Sequence, residues 1–78
     1  MQQLVPLELL SSGEQGRIAE IDGDDEFVNR LAEMGCRCGT QIRMVRPSVP
    51  CIIAIENHRL SFRGDDAATI FVTREDTL

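Results

Sequence analysis

A chain of 78 residues, with 42% apolar and 27% charged side chains, is long enough for one small domain. The core of this domain must be aliphatic, because the chain contains no Trp, no Tyr and only three Phe. Its net charge of −5 argues against a nucleic-acid-binding protein. Its longest apolar stretch, residues 49–55, is far shorter than the roughly 20 residues that span a membrane. We therefore expect a single domain over residues 1–78, with no nucleic-acid partner and no direct membrane insertion.

The amino-terminal residues and the cysteines both favour a cytoplasmic location. Residues 1–4 contain neither a basic stretch nor a long apolar run, so no secretion signal is predicted. Three cysteines cannot all pair within one chain, and Cys36 and Cys38 are too close for a comfortable disulfide. Reduced thiols are the usual state in the cytosol.

Short β-type segments account for most of the chain. A leading segment, residues 7–10, ends in a turn at residues 11–13. Alternating or continuous apolar patterns then predict five strands, at residues 16–21, 40–46, 51–56, 59–63 and 70–72. The third and fourth of these strands form a hairpin candidate around Asn57 and His58. Residues 65–69 are predicted to form one capped helical turn.

One helix is predicted between the first two strands, over about residues 24–34. Three apolar residues share one face of it, at positions i, i+4 and i+7: Phe27, Leu31 and Met34. Asp24 or Asp25 can cap its first turn, and Gly35 can end it in a left-handed conformation. Five short strands with one inserted helix predict a mainly β fold, namely a small, partly open barrel of the SH3 type. Curving the sheet toward closure protects the edges that such short strands would otherwise expose.

Positive charge is concentrated in one part of the chain. Residues 37–63 carry five arginines and one glutamate, a net charge of +4, whereas the other residues carry three arginines and twelve carboxylates, a net charge of −9. There is no lysine. Arginine is suited to bidentate pairing with carboxylates and to protein interfaces. Two interpretations follow: the arginines keep a small barrel soluble, or they form a cationic face for an acidic partner surface.

A metal site is an alternative hypothesis. Apart from methionines, the soft or borderline ligands are Cys36, Cys38, Cys51 and His58. A Cys₃His set would suit zinc, but Cys-x-Cys is not the spacing of a zinc knuckle, and Cys51 begins an Ile-rich strand where a buried thiol is the simpler interpretation. Ferrous iron would prefer His and carboxylate ligands, which the acidic residues 22–26 could supply. The simpler interpretation of these acidic residues is a helix cap and a solvated loop. No cofactor is expected, and bound iron or zinc is the alternative.

An enzyme is not predicted. Nucleophilic catalysis requires a base beside the nucleophile, and the single His58 lies in a predicted turn without an acid placed to orient it. No glycine-rich loop of the type that holds phosphates is present. We therefore predict a domain that binds another protein rather than an enzyme.

From about residue 7 to residue 72 the chain resembles the bacterial FeoA family. The most specific element is the run Arg30-Leu31-Ala32-Glu33-Met34-Gly35, followed by Gly39. Weaker elements occur in the family's order: Leu10 with Gly13, residues 16–18, 40–45 and 60–63, Ala67, and residues 70–72. Three features depart from the family: Cys36 replaces the usual aliphatic residue, Cys38 replaces a common proline, and loop 47–50 reads Pro-Ser-Val-Pro.

The resemblance implies a small cytoplasmic accessory protein of ferrous iron uptake, whose partner is FeoB, a membrane permease with a cytosolic GTP-binding domain. We accordingly predict an interaction module that docks on the cytosolic part of the permease. The candidate contact residues are Arg30, Glu33, Arg43, Arg46, Arg59 and Arg63. Two alternatives remain: a small metal-binding or metal-sensing protein that uses Cys36, Cys38, Cys51 and His58, and a homo-oligomeric scaffold.

Overall fold

Six antiparallel strands form one sheet in the computed structural model, which describes residues 3–56, 58–64 and 68–74. The strands are β1 (Leu4–Pro6), β2 (Gln15–Asp22), β3 (Gln41–Arg46), β4 (Cys51–Ile55), β5 (His58–Phe62) and β6 (Thr69–Arg74). A 3-10 helix (Leu7–Leu9) follows β1, and the helix α1 (Asp25–Glu33) joins β2 to β3. The strand order is β1-β6-β2-β3-β4-β5, so β1 and β5 are the edges of the described sheet. The prediction of a mainly β, partly open barrel with one inserted helix is confirmed.

The described residues form one strand more than the five predicted. The additional strand is β1, which pairs with β6 through the register Leu4↔Thr73, Val5↔Val72 and Pro6↔Phe71. A three-residue strand that ends in proline shows too little alternation to be recognised in the sequence. Of the helical turn predicted at residues 65–69, residues 65–67 lie outside the described residues, while Ala68 forms a β-bridge and Thr69 begins β6.

The core is aliphatic, as predicted, and alternation along the strands supplies it. Each central strand turns alternate side chains inward, and these are buried: Ile42 and Met44 from β3, Ile53 and Ile55 from β4, and Ile70 and Val72 from β6. The register of β2 shifts between Ile18 and Glu20, a bulge of one extra residue. Because of this bulge, Ile18 and Ile21, three positions apart, both pack against the core.

Helix α1 lies alongside the edge strand β5. It begins where the Asp24 Oδ1 accepts a hydrogen bond from the Phe27 N–H at 2.8 Å, and it ends before Gly35, whose φ is +92°. At its first turn the Phe27 ring packs against Phe62 at the end of β5, with ring centroids 6.2 Å apart. Beyond its last turn the Met34 carbonyl oxygen lies 3.0 Å from the Nε2 of His58, at the start of β5. The helix therefore contacts β5 at both of its ends, while His58, Arg59 and Ser61 of that strand stay exposed. In the described ranges, no helix combines the length and apolar character that crossing a membrane requires.

Candidate interaction surface

Three of the predicted contact arginines share the solvent side of strands β3, β4 and β5. In the sheet register Arg43 lies opposite Ala54, and Ala54 lies opposite Arg59, so the two arginines flank one small side chain. In the neighbouring row Arg46 lies opposite Ile52, which in turn lies opposite Ser61. The three arginines are exposed, whereas Ala54 and Ile52 are half-buried. We call this surface, defined by Arg43, Arg46 and Arg59, the arginine face.

A bulge in β3 explains why Arg43 and Arg46 lie on the same face. Residues three apart in a regular strand point to opposite sides of the sheet. Between Met44 and Arg46 the register shifts, and Val45 is left without a partner on β4. Met44 remains fully buried while Arg46 returns to the solvent side. The extra residue therefore adds a second arginine of β3 to the face.

The arginines of residues 37–63 differ from the other three in their bonds to the rest of the protein. Arg30 Nη2 lies 3.1 Å from Glu26 Oε1, and Arg74 Nε lies 3.1 Å from Glu14 Oε2. Arg17 donates from Nη1 to the Gly39 carbonyl at 2.9 Å. Within the described part of the chain, no carboxylate pairs with any arginine of residues 37–63: Arg37, Arg43, Arg46, Arg59 and Arg63. These charges are therefore available to a partner.

The other predicted contact residues lie outside the arginine face. Arg63 is exposed immediately after β5. Arg30 and Glu33 are exposed on α1, where with Glu26 and Asn29 they line a shallow depression of about 460 Å³. The structure thus brings Arg43, Arg46 and Arg59 together and places Arg30 and Glu33 on a separate element.

An open hollow of about 730 Å³ lies at the end of the arginine face, beside the start of β3. One wall is the turn of residues 37–40, and another is the amide pair in which Gln41 Nε2 donates to Gln15 Oε1 at 3.2 Å. The remaining lining comes from β3, β4 and the residue after β4: Ile42, Arg43, Ala54 and Glu56. Sequence reasoning counted Arg37 in the basic segment but missed its place in this hollow.

Hydrogen bonds fix the turn that forms this wall. The Thr40 hydroxyl donates to the Gly35 carbonyl at 3.1 Å and accepts from the Arg37 N–H at 3.2 Å. The backbone of β2 adds two bonds, from the Gly39 N–H to the Ile18 carbonyl at 2.7 Å and from the Ile18 N–H to the Thr40 carbonyl at 2.9 Å. Gly39 itself has a φ of +95°, which glycine adopts without steric penalty. The wall is therefore held in place before any ligand arrives.

The predicted metal ligands are not assembled into one site. Cys36 and Cys51 are buried in the core, whereas Cys38 is exposed in the wall of the hollow. His58, predicted to lie in a turn, begins β5, and its ring bonds to the Met34 carbonyl. In residues 3–56, 58–64 and 68–74 no group of three or more His, Cys, Asp or Glu side chains is placed to hold a metal ion. The Asp24 side chain caps α1, as its simpler interpretation predicts.

The two buried thiols ionise less readily than a free thiol. Burial raises the pKa of the Cys36 thiol from 9.0 to about 11. Burial, and then the nearby Glu8 carboxylate, raise the pKa of the Cys51 thiol, while backbone hydrogen bonds of Cys51 and Phe62 act in the opposite direction. Both thiols therefore keep their protons at neutral pH and act as small apolar side chains.

The raised pKa of Cys36 predicts a loss of stability at alkaline pH. The Cys36 thiol has a pKa of about 11 in the folded protein and near 9 in the unfolded chain. Its contribution to the free energy of unfolding is therefore fully present below pH 9 and is lost as the pH rises through about 11. We expect the free energy of unfolding to fall by about 1 kcal/mol between pH 8 and pH 10 on account of this group. Urea denaturation at several pH values measures it. Cys36→Val should reduce that decline, and the raised pKa of the Cys51 thiol should account for a part that remains.

Fold and surface together define an SH3-like β domain with exposed arginines on β3 and β5 that pair with no carboxylate among the described residues. The profile of the FeoA domain matches residues 5–74. The chain belongs to the FeoA family, whose members are small proteins associated with ferrous iron transport, and the resemblance seen in the sequence is confirmed. The crystal structure of an iron uptake regulatory protein (FeoA) is similar, with a TM-score of 0.81 and 25% identity over 94% of this chain and 99% of that one. A comparison with curated proteins gives no match.

Proposed function

We propose that this protein is a cytoplasmic accessory protein of ferrous iron uptake that docks, through its arginine face, on an acidic surface of the cytosolic part of a FeoB-type permease. The observation that carries the proposal is a group of exposed arginines that form no ion pair with the described residues, in a protein whose net charge is −5. Unpaired surface charges add nothing to the stability of the fold, but they favour encounter with a surface of opposite charge.

The proposed role is binding rather than catalysis. A domain that binds one conformation of the permease more tightly than another shifts the permease toward that conformation, and it requires no reacting group of its own. The β3–β5 surface suits such binding because the sheet holds the backbone of its arginines in fixed rows, so docking requires no ordering of the backbone there. Arg30, Glu33 and Arg63 remain predicted contacts at other positions.

An NMR titration tests the proposal. The isotope-labelled protein is titrated with the cytosolic portion of the permease from the same organism, and backbone amide shifts are followed. We expect saturable shifts concentrated on β3, β4 and β5, with smaller shifts on β1 and β6. Absence of shifts at about 500 µM partner, or shifts confined to β1 and β6, would contradict the proposal.

A further inference from the structure

The hollow beside the arginine face has the charge and rigidity of a site for one acidic side chain. Two cationic side chains line it, Arg37 and Arg43, and neither pairs with a carboxylate in the described part of the chain. Glu56 is the one carboxylate in the described lining. The lining therefore has a net charge of +1, which matches a monoanion such as a carboxylate better than it matches a phosphate.

The shape of the hollow supports the same ligand. Ala54 lies opposite Arg43 in the register and also lines the hollow, where its small side chain takes up little of the space beside Arg43. The described lining contains no aromatic side chain on which a nucleotide base could stack. A flexible acidic side chain fits such a polar hollow better than a flat ring does.

We infer that this hollow receives the carboxylate of a glutamate or aspartate from the partner protein, held between the Arg37 and Arg43 guanidinium groups. The hydrogen bonds that fix residues 37–40 hold the backbone of Arg37 in place before binding, so no backbone ordering of this turn is needed when the carboxylate enters. The choice of a protein partner rests on the proposed function, whereas the carboxylate specificity rests on the hollow itself.

A peptide titration tests the carboxylate specificity without the permease. The labelled protein is titrated with a capped tripeptide that has a central glutamate between two serines, then with its glutamine counterpart, and then with inorganic phosphate. At about 20 mM peptide we expect the amides of Cys38, Gly39 and Ala54 to shift with the glutamate peptide only, with a dissociation constant of about 1–10 mM. Equal shifts with the glutamine peptide, no shifts at all, or tighter binding of phosphate would overturn the inference.

Variants separate the hollow from the general charge of the arginine face. Arg37→Gln and Arg43→Gln should each weaken glutamate-peptide binding about tenfold, and Ala54→Leu should do the same by filling the space while all charges are kept. Glu56→Gln should strengthen binding about threefold by removing the opposing charge. Arg46→Gln, on the arginine face but outside the hollow, is the matched control and should bind as the wild type does. Amide spectra of each variant check that the fold is intact.

The same variants distinguish this inference from the proposed function. If the permease portion binds Arg37→Gln and Ala54→Leu as tightly as wild type, the hollow is not its docking point, although docking itself stands. If the glutamate peptide binds while the permease portion causes no shifts, docking fails and the carboxylate site stands.

Discussion

Replacement of both Arg43 and Arg59 by glutamate is expected to weaken binding of the permease portion by about 100-fold, or about 3 kcal/mol. The two arginines flank Ala54 in one row of the sheet, so the double change converts the centre of the arginine face from positive to negative. An acidic partner surface would then meet like charge, and the favourable encounter would be lost. Isothermal titration calorimetry with the cytosolic portion of the permease measures the effect.

The matched control is the double substitution of Arg43 and Arg59 by lysine. It keeps both charges and loses only bidentate geometry, so we expect its affinity to fall by less than about fivefold. The affinity of the wild type should also decrease as salt is raised, because exposed charges are screened beyond about 8 Å at physiological ionic strength. Unchanged binding by the glutamate variant would exclude the arginine face as the contact surface.

Truncation of one central core side chain, Ile53→Ala, is expected to destabilise the protein by roughly 2–5 kcal/mol. The Ile53 side chain is fully buried on β4, opposite Met44 on one side and Leu60 on the other, so its removal leaves a cavity among packed neighbours. Domains of this size are stable by only about 4–12 kcal/mol, so the loss is a large fraction of the total. Urea denaturation followed by far-UV circular dichroism measures it, since the chain lacks tryptophan.

The neighbouring residue supplies the control for that experiment. Ile52 precedes Ile53 on the same strand but faces the solvent side, where it is half-buried. Ile52→Ala should therefore cost about 1 kcal/mol or less. Equal losses in the two variants would show that β4 does not turn these side chains to opposite sides as described.

Periodicity in the sequence predicted the parts of the fold that depend on local pattern. Alternating or continuous apolar patterns identified five of the six strands in the described residues, and the spacing of Phe27, Leu31 and Met34 identified α1, whose observed bounds are Asp25–Glu33. The strand β1 was missed because its three residues, ending in Pro6, are defined by pairing with β6 rather than by any pattern of their own. Local sequence carries little information about such a pairing.

The candidate surface depends more on tertiary structure. The charge count located the basic segment, but spacing alone would place Arg43 and Arg46 on opposite sides of β3, because strand alternation does not reveal the bulge at Val45. The hollow joins residues from β2, the 37–40 turn, β3 and β4, which are distant in the chain. The burial that raises the pKa of Cys36 likewise follows from the packing of the core around it.

Val45, which has no pairing partner on β4, affects how the binding surfaces of homologous chains should be compared. Two arginines separated by three positions share a surface here because the strand contains one residue more than its neighbour. A homologue that kept both arginines but lost that residue would have the same net charge. Its two arginines would, however, lie on opposite faces of the sheet. The length of this strand is therefore as informative about shared binding as the identity of its basic residues.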